Sequence, residues 1–237
     1  MVGHRSRLLL EPEGDSRLPL LIFARSFLLM ASFLTATTAP ANAVGDKAGD
    51  FDFYVLALSW SPTYCQSQGP YANRLQCSTS AERGFVVHGL WPQYERGYPQ
   101  NCATNEPLRV PRWLIDTVLD IMPDPGLVGR QWRKHGTCTG LTQAAYLQAI
   151  RRAYDTIAIP EAFRSARHRR AVSARSAEQA FIADNPGLSA NGIAIACRDG
   201  LLSEVRVCLT RALEFRRCES VDASGCRQSR LVMPAGR

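Results

Sequence analysis

Ile193-Ala194-Ile195-Ala196-Cys197-Arg198-Asp199-Gly200-Leu201-Leu202-Ser203-Glu204-Val205-Arg206-Val207-Cys208-Leu209 is the stretch that decides the fold class. Residues 193–197 and 202–209 are rich in β-branched and apolar side chains, and Asp199-Gly200 between them is a two-residue hairpin signal. A hairpin means antiparallel pairing. Working outward, residues 52–59 alternate around Phe53, Val55 and Ala57 as a strand does, and residues 84–88 read as a short buried strand. Helical patterns fall at 110–122, which starts at a proline and stops before Pro123, at 142–157, capped by Thr142, and at 173–183, with Ala177, Ala180 and Phe181 on one face. Strands and helices mix without regular βαβ alternation. The expected class is α+β, a central, mainly antiparallel sheet flanked by helices in one disulfide-stapled domain.

The N-terminus reads as a leader. Arg5, Arg7, Arg17 and Arg25 precede an apolar run over residues 27–34, and Ala41-Asn42-Ala43 is a small-residue cleavage pattern. The expected organisation is a signal peptide at 1–43 and a single domain at 44–237. The leader exceeds the usual ~15–30 residues, so a later translation start or an uncleaved anchor at 18–34 are the alternatives. A membrane span needs ~20 mostly apolar residues, and Arg25 interrupts the candidate. No stable membrane association is expected, and the compartment is the periplasm or the outside of the cell.

All eight cysteines, Cys65, Cys77, Cys102, Cys138, Cys197, Cys208, Cys218 and Cys226, lie after the leader. An even count behind an export signal reads as four disulfides, with the pairing open. The spacings contain no C-x₂₋₄-C pair, which argues against zinc. The formal charge is +7 and the pI about 9.2, a balance that favours an anionic partner without choosing between nucleic acid and a membrane surface. Of the 28 basic residues only Lys47 and Lys134 are lysine.

Past the leader the chain keeps three histidines, and two sit in unusual tracts: Phe85-Val86-Val87-His88-Gly89-Leu90-Trp91-Pro92 and Gln131-Trp132-Arg133-Lys134-His135-Gly136-Thr137-Cys138. Two imidazoles can form an acid/base pair near neutral pH. A helix starting near Leu127 puts Gln131, Lys134 and His135 on one face, presenting an amide, an ammonium and an imidazole together. His88 ends a strand, and Trp91, held extended by the following proline, is placed to stack on a base. Trp60, Trp113 and Trp132 read as core residues. His168, among Arg164, Arg167, Arg169 and Arg170, reads as part of a solvated basic face.

The two histidine tracts resemble the active-site segments of the ribonuclease T(2) family of secreted acid endoribonucleases. Phe51-Asp52-Phe53-Tyr54-Val55-Leu56-Ala57-Leu58-Ser59-Trp60-Ser61-Pro62, followed by Cys65, is similar to that family's opening strand, and the resemblance runs from about Phe51 to Cys226. It implies a broad-specificity endoribonuclease acting on single-stranded RNA through a 2′,3′-cyclic phosphate, without metal or other cofactor. By position, His88 is then the general acid, His135 the general base and Lys134 the stabiliser of phosphoryl charge, while Trp91 lies at a base subsite. It also implies the pairs Cys65 with Cys77, Cys102 with Cys138, and Cys208 with Cys218 nested inside Cys197 with Cys226.

Where the family usually has histidine and glutamate ahead of the lysine, this chain has Arg130 and Gln131. Arg130 can still bind phosphate, and Gln131 can hydrogen-bond but cannot act as a carboxylate. Both are candidate substrate contacts. The alternative function is a catalytically weakened RNA- or glycan-binding protein on the same fold, although such a module has no need of His88, Lys134 and His135 together. A metal-dependent nuclease or phosphatase predicts inactivation by EDTA, and the sequence lacks a carboxylate and histidine cluster for it. A monomer is expected.

Overall fold

The computed structural model describes residues 46–78 and 83–236. The expected leader at 1–43 lies outside the described residues. In chain order the elements are β1 (Phe53–Trp60), α1 (Ser61–Gln68), α2 (Arg74–Cys77), β2 (Phe85–Gln93), α3 (Arg112–Ile115), α4 (Pro125–Lys134), α5 (Gln143–Asp155), α6 (Glu161–Arg164), β3 (Arg170–Val172), α7 (Ala174–Asp184), β4 (Ile193–Arg198), β5 (Leu201–Leu209), α8 (Glu219–Ala223) and β6 (Leu231–Met233).

The fold is α+β. One sheet runs β2-β1-β5-β6-β3, with β4 also paired to β5. Every pairing is antiparallel except the single Leu201 to Val232 partnership of β5 and β6. The hairpin at 193–209 forms as read. Arg198 partners Leu201, and Asp199 and Gly200 between them have φ of 51° and 74°, the left-handed pair that a tight hairpin turn requires.

β1 departs from simple alternation. Tyr54, Leu56, Leu58 and Trp60 join the main core, while Phe53 and Val55 enter a smaller cluster with Ala194, Cys208, Cys218 and Val221. The strand is central and covered on both faces, so both parities are apolar.

β2 continues beyond the expected end at His88 through Trp91 and Pro92. The proline is tolerated because β2 is the sheet's edge and needs no N–H there. Opposite it, Ala57 partners Gly89 and Leu58 partners Val87, so His88 is the extra residue of a β-bulge. The bulge sends Val87 and Leu90 into the same main core, although three residues apart they would otherwise face opposite ways. His88 and Trp91 are thereby released together to the other face.

The helix expected at 110–122 is only α3 followed by a 3₁₀ turn at Asp116–Val118. α4 begins at Pro125 rather than near Leu127, because the Asp124 side chain accepts from Gly126 N–H at 2.8 Å and the proline occupies the first turn. α5 and α7 start where the Thr142 and Ser173 side chains cap them. Trp60 and Trp132 are fully buried. Trp113 is not the core residue expected: it is 68% exposed, since α3 turns Leu114 inward instead.

Disulfides join Cys65 to Cys77, Cys102 to Cys138, Cys197 to Cys226 and Cys208 to Cys218. Among the described residues no helix is long and apolar enough to cross a membrane.

Candidate active site

The bulged His88 of β2 and the C-terminal end of α4 meet at a cleft. A recess of 780 Å³ is lined by His88, Trp91, Arg130, Gln131, Lys134, Glu204 and Arg206, among others. A second, of 410 Å³, is lined by His88, Trp91, Tyr98, Gln131, Lys134, His135 and Arg206, among others. The two recesses share His88, Trp91, Gln131, Lys134 and Arg206. The sheet's edge and one helix end therefore bring together residues more than 40 positions apart.

Trp91 is the centre of the arrangement. Its ring centroid is 5.2 Å from that of His88, nearly perpendicular, and 5.5 Å from that of His135. Its indole N–H donates to Gln131 Oε1 at 2.7 Å. Gln131 is 6% exposed, so its carbonyl is committed to this bond. Gly89 allows the packing, because a Cβ there would run into Gln131 Oε1 and Trp91 Nε1.

His135 caps α4, its N–H donating to Gln131 O at 2.9 Å. It is 5% exposed but lines the smaller recess, and its Nδ1 has no hydrogen-bond partner among the described residues. Burial, with smaller contributions from the charges of Lys134 and His88, pulls its pKa down from 6.5 to about 3. The ring is neutral at physiological pH. Lys134 Nζ lies 5.6 Å from the Tyr98 ring centroid, and Asn101 N–H donates to the Lys134 carbonyl. The Cys102–Cys138 bridge, next to Asn101 in the chain, ties down the turn that follows the same helix end.

His88 keeps 35% of its side chain exposed. Its Nδ1 is 2.5 Å from Glu204 Oε1. Glu204 accepts two bonds on Oε2 from Arg206, at 3.0 and 2.9 Å, and the Ser59 hydroxyl donates to Oε1 at 3.3 Å. Burial alone would raise the Glu204 pKa, but the hydrogen bond and charge of His88 and the charge of Arg206 outweigh it and bring it down to about 2. The carboxylate is ionised. The Arg206 guanidinium also lies 5.6 Å from the Trp91 ring centroid.

Arg130 lines the larger recess but is tied to Asp124, Nη2 to Oδ2 at 3.1 Å. His168 is exposed and lines neither recess. Glu204, Arg206 and Tyr98 were not anticipated from sequence. The readable signal was a Glu-x-Arg pair on one face of an otherwise apolar strand, two charges that must find partners if that face is covered. No group of three or more His, Cys, Asp or Glu side chains among the described residues could hold a metal ion.

An α+β sheet whose edge strand and one helix end present two histidines and a lysine to a basic cleft defines a class by fold and site. The Ribonuclease T2 family profile matches residues 51–218, and the chain belongs to that family. It is 40% identical over 121 residues to a ribonuclease of Aeromonas hydrophila, covering 51% of this chain and 53% of that protein. It is 29% identical over 223 residues to ribonuclease I of Escherichia coli K12, covering 76% and 83% respectively. Among solved structures, trichomaglin, described as an S-like ribonuclease, superposes with a TM-score of 0.61 at 20% identity, covering 79% of this chain and 100% of that one. The chain spans about half the length of the Aeromonas relative it matches.

Proposed function

We propose that this protein is a metal-independent endoribonuclease that cleaves single-stranded RNA by transphosphorylation. The observation that carries the reading is the convergence of His88, Trp91, Lys134 and His135 on one cleft, in a chain whose residues 51–218 match the Ribonuclease T2 family. His135, held neutral by its surroundings, accepts the proton of a ribose 2′-hydroxyl. The 2′-oxygen attacks phosphorus, the bond to the 5′-oxygen breaks, and His88 donates a proton to that leaving oxygen. The products are a 2′,3′-cyclic phosphate and a free 5′-hydroxyl. DNA lacks the nucleophile.

A bound phosphodiester brings negative charge beside His135 and raises its pKa toward the working range, which improves it as a base. Lys134 offsets charge that develops on the phosphoryl oxygens. Trp91 stacks on a base, while Gln131 holds the indole in place. Arg130 takes a more distant phosphate at the recess it lines. Four disulfides fit an oxidising compartment, which supports export; in this reading residues 1–43 are the export signal and 44–237 the ribonuclease domain.

The test is to incubate the oxidised protein with homopolymer RNAs in EDTA and identify the product ends. Cyclic phosphate termini, lost in His88→Ala and His135→Ala, are the expected result. RNA retention without cleavage from mildly acidic to neutral pH would instead mark a binding protein.

A further inference from the structure

A general acid in this reaction must offer its proton from one particular nitrogen, and the imidazole of His88 has two. On β5 the side chains of Glu204 and Arg206, two residues apart, project to the same face of the sheet. β1 lies between β5 and the histidine-bearing β2. The carboxylate reaches across that strand to His88 over a sequence separation of 116. It does so from a position with only 12% of its side chain exposed, against 33% for the arginine.

Each acceptor site of this carboxylate is assigned. Oε2 takes both Arg206 donors, and Oε1 takes His88 Nδ1 and the Ser59 hydroxyl. Arg206 is itself pinned over the Trp91 ring, so Glu204 cannot rotate without breaking a paired contact. An ionised carboxylate is acceptor-only, and this one is ionised. Hydrogen-bonded at 2.5 Å, it can be satisfied by His88 only if Nδ1 carries the hydrogen. That leaves Nε2 as the nitrogen whose proton is free to move.

We propose that Glu204, clamped by Arg206, is the positioning residue that fixes the ring orientation and tautomer of His88, directing its Nε2 toward the leaving oxygen. The inference rests on the ribonuclease reading above and deepens it. The proton passes from Nε2 to the 5′-oxygen, the Nδ1 hydrogen stays in place, and Glu204 remains ionised throughout. A residue that only buttressed the sheet through the Glu204–Arg206 ion pair would not discriminate between the two ring nitrogens.

Three measurements separate these roles. In the parent protein, ¹⁵N NMR of the neutral His88 ring should show the Nδ1–H tautomer. Observation of the Nε2–H tautomer would overturn the proposal, and this experiment needs no variant to fold. Glu204→Ala should lower kcat on a dinucleotide by about 10²–10⁴-fold with KM within about threefold of the parent. Added sodium formate, compared with chloride at equal ionic strength, should restore part of that kcat by returning a carboxylate to the vacated space. The formate effect should vanish in the Glu204→Ala, His88→Ala double variant.

Parent-like kcat in a folded Glu204→Ala protein overturns the proposal, as does a loss of kcat that formate does not recover. His88→Ala distinguishes this failure from failure of the ribonuclease reading. If that variant cleaves RNA like the parent, the acid role of His88 is wrong. If it is inactive while Glu204→Ala is not, only the role of Glu204 falls.

Discussion

The indole N–H of Trp91 donates to Gln131 Oε1 at 2.7 Å, linking the edge strand to α4 across 40 residues of chain. This contact changes what substitution of Gln131 should do. Gln131→Glu keeps an acceptor for the indole while placing a negative charge one helical turn before His135. That charge favours the protonated imidazole, so the acidic limb of kcat/KM should move up by about one pH unit. Gln131→Ala removes the acceptor and frees Trp91, and KM should rise about tenfold as base stacking weakens. Steady-state kinetics on a dinucleotide across pH decide both, and an unchanged profile in both variants would remove Gln131 from any tuning role.

Gly89 should be intolerant of even one methyl group. Its Cβ would meet the Gln131 amide and the Trp91 indole nitrogen, and Gln131 is buried with little room to yield. Gly89→Ala is expected to cost about 1–3 kcal/mol in a urea melt. A change in tryptophan fluorescence should accompany the loss. Parent stability with an unaltered spectrum would mean that the bulge relaxes freely.

Stability should decline in acid, and the sign follows from His135. Its pKa is about 3 in the folded protein and 6.5 when unperturbed, so between those values the unfolded chain binds the proton and the folded chain does not. The contribution is complete above about pH 6.5 and is lost as pH falls toward 3. Glu204, depressed from 4.5 to about 2, acts in the same direction below pH 4.5. The His135 effect alone should amount to about 3–5 kcal/mol. Urea midpoints measured from neutral pH downward should show it, with a flatter dependence in His135→Asn. An equal slope in that variant would exclude His135 as the source.

Opening the Cys102–Cys138 bridge should impair activity as well as stability. It closes a loop with a sequence separation of 36, for which chain entropy gives about 3–4 kcal/mol. The same bridge anchors the turn that follows His135, and Asn101 beside it bonds the Lys134 carbonyl. The double Cys→Ser variant should therefore show a reduced kcat at temperatures where it is fully folded. A variant with full kcat and a lower melting temperature would confine the bridge to stability.

Much of the architecture was legible because it depends on neighbours in the chain. Asp199-Gly200 turns the β4–β5 hairpin, Thr142 caps its helix, and the i, i+3, i+4 spacing gathers Gln131, Lys134 and His135. These are short-range rules of backbone geometry, and the residues that obey them are a few positions apart. β2 runs past His88, where its apolar run ends in the sequence, to Gln93, and so takes in Pro92. Only its place at the sheet edge makes the proline harmless.

The amino-acid order by itself determined an antiparallel α+β fold, a cysteine-rich domain and two histidine segments of recognisable chemistry. Tertiary structure alone decided that His88 sits in a bulge, that Trp91 lies between both imidazoles, and that Glu204 grips one of them from 116 residues away. Register and side-chain pairing between distant strands are set by how two sheet faces fill against the rest of the core. That energy belongs to the assembled molecule, and no local pattern of residues encodes it.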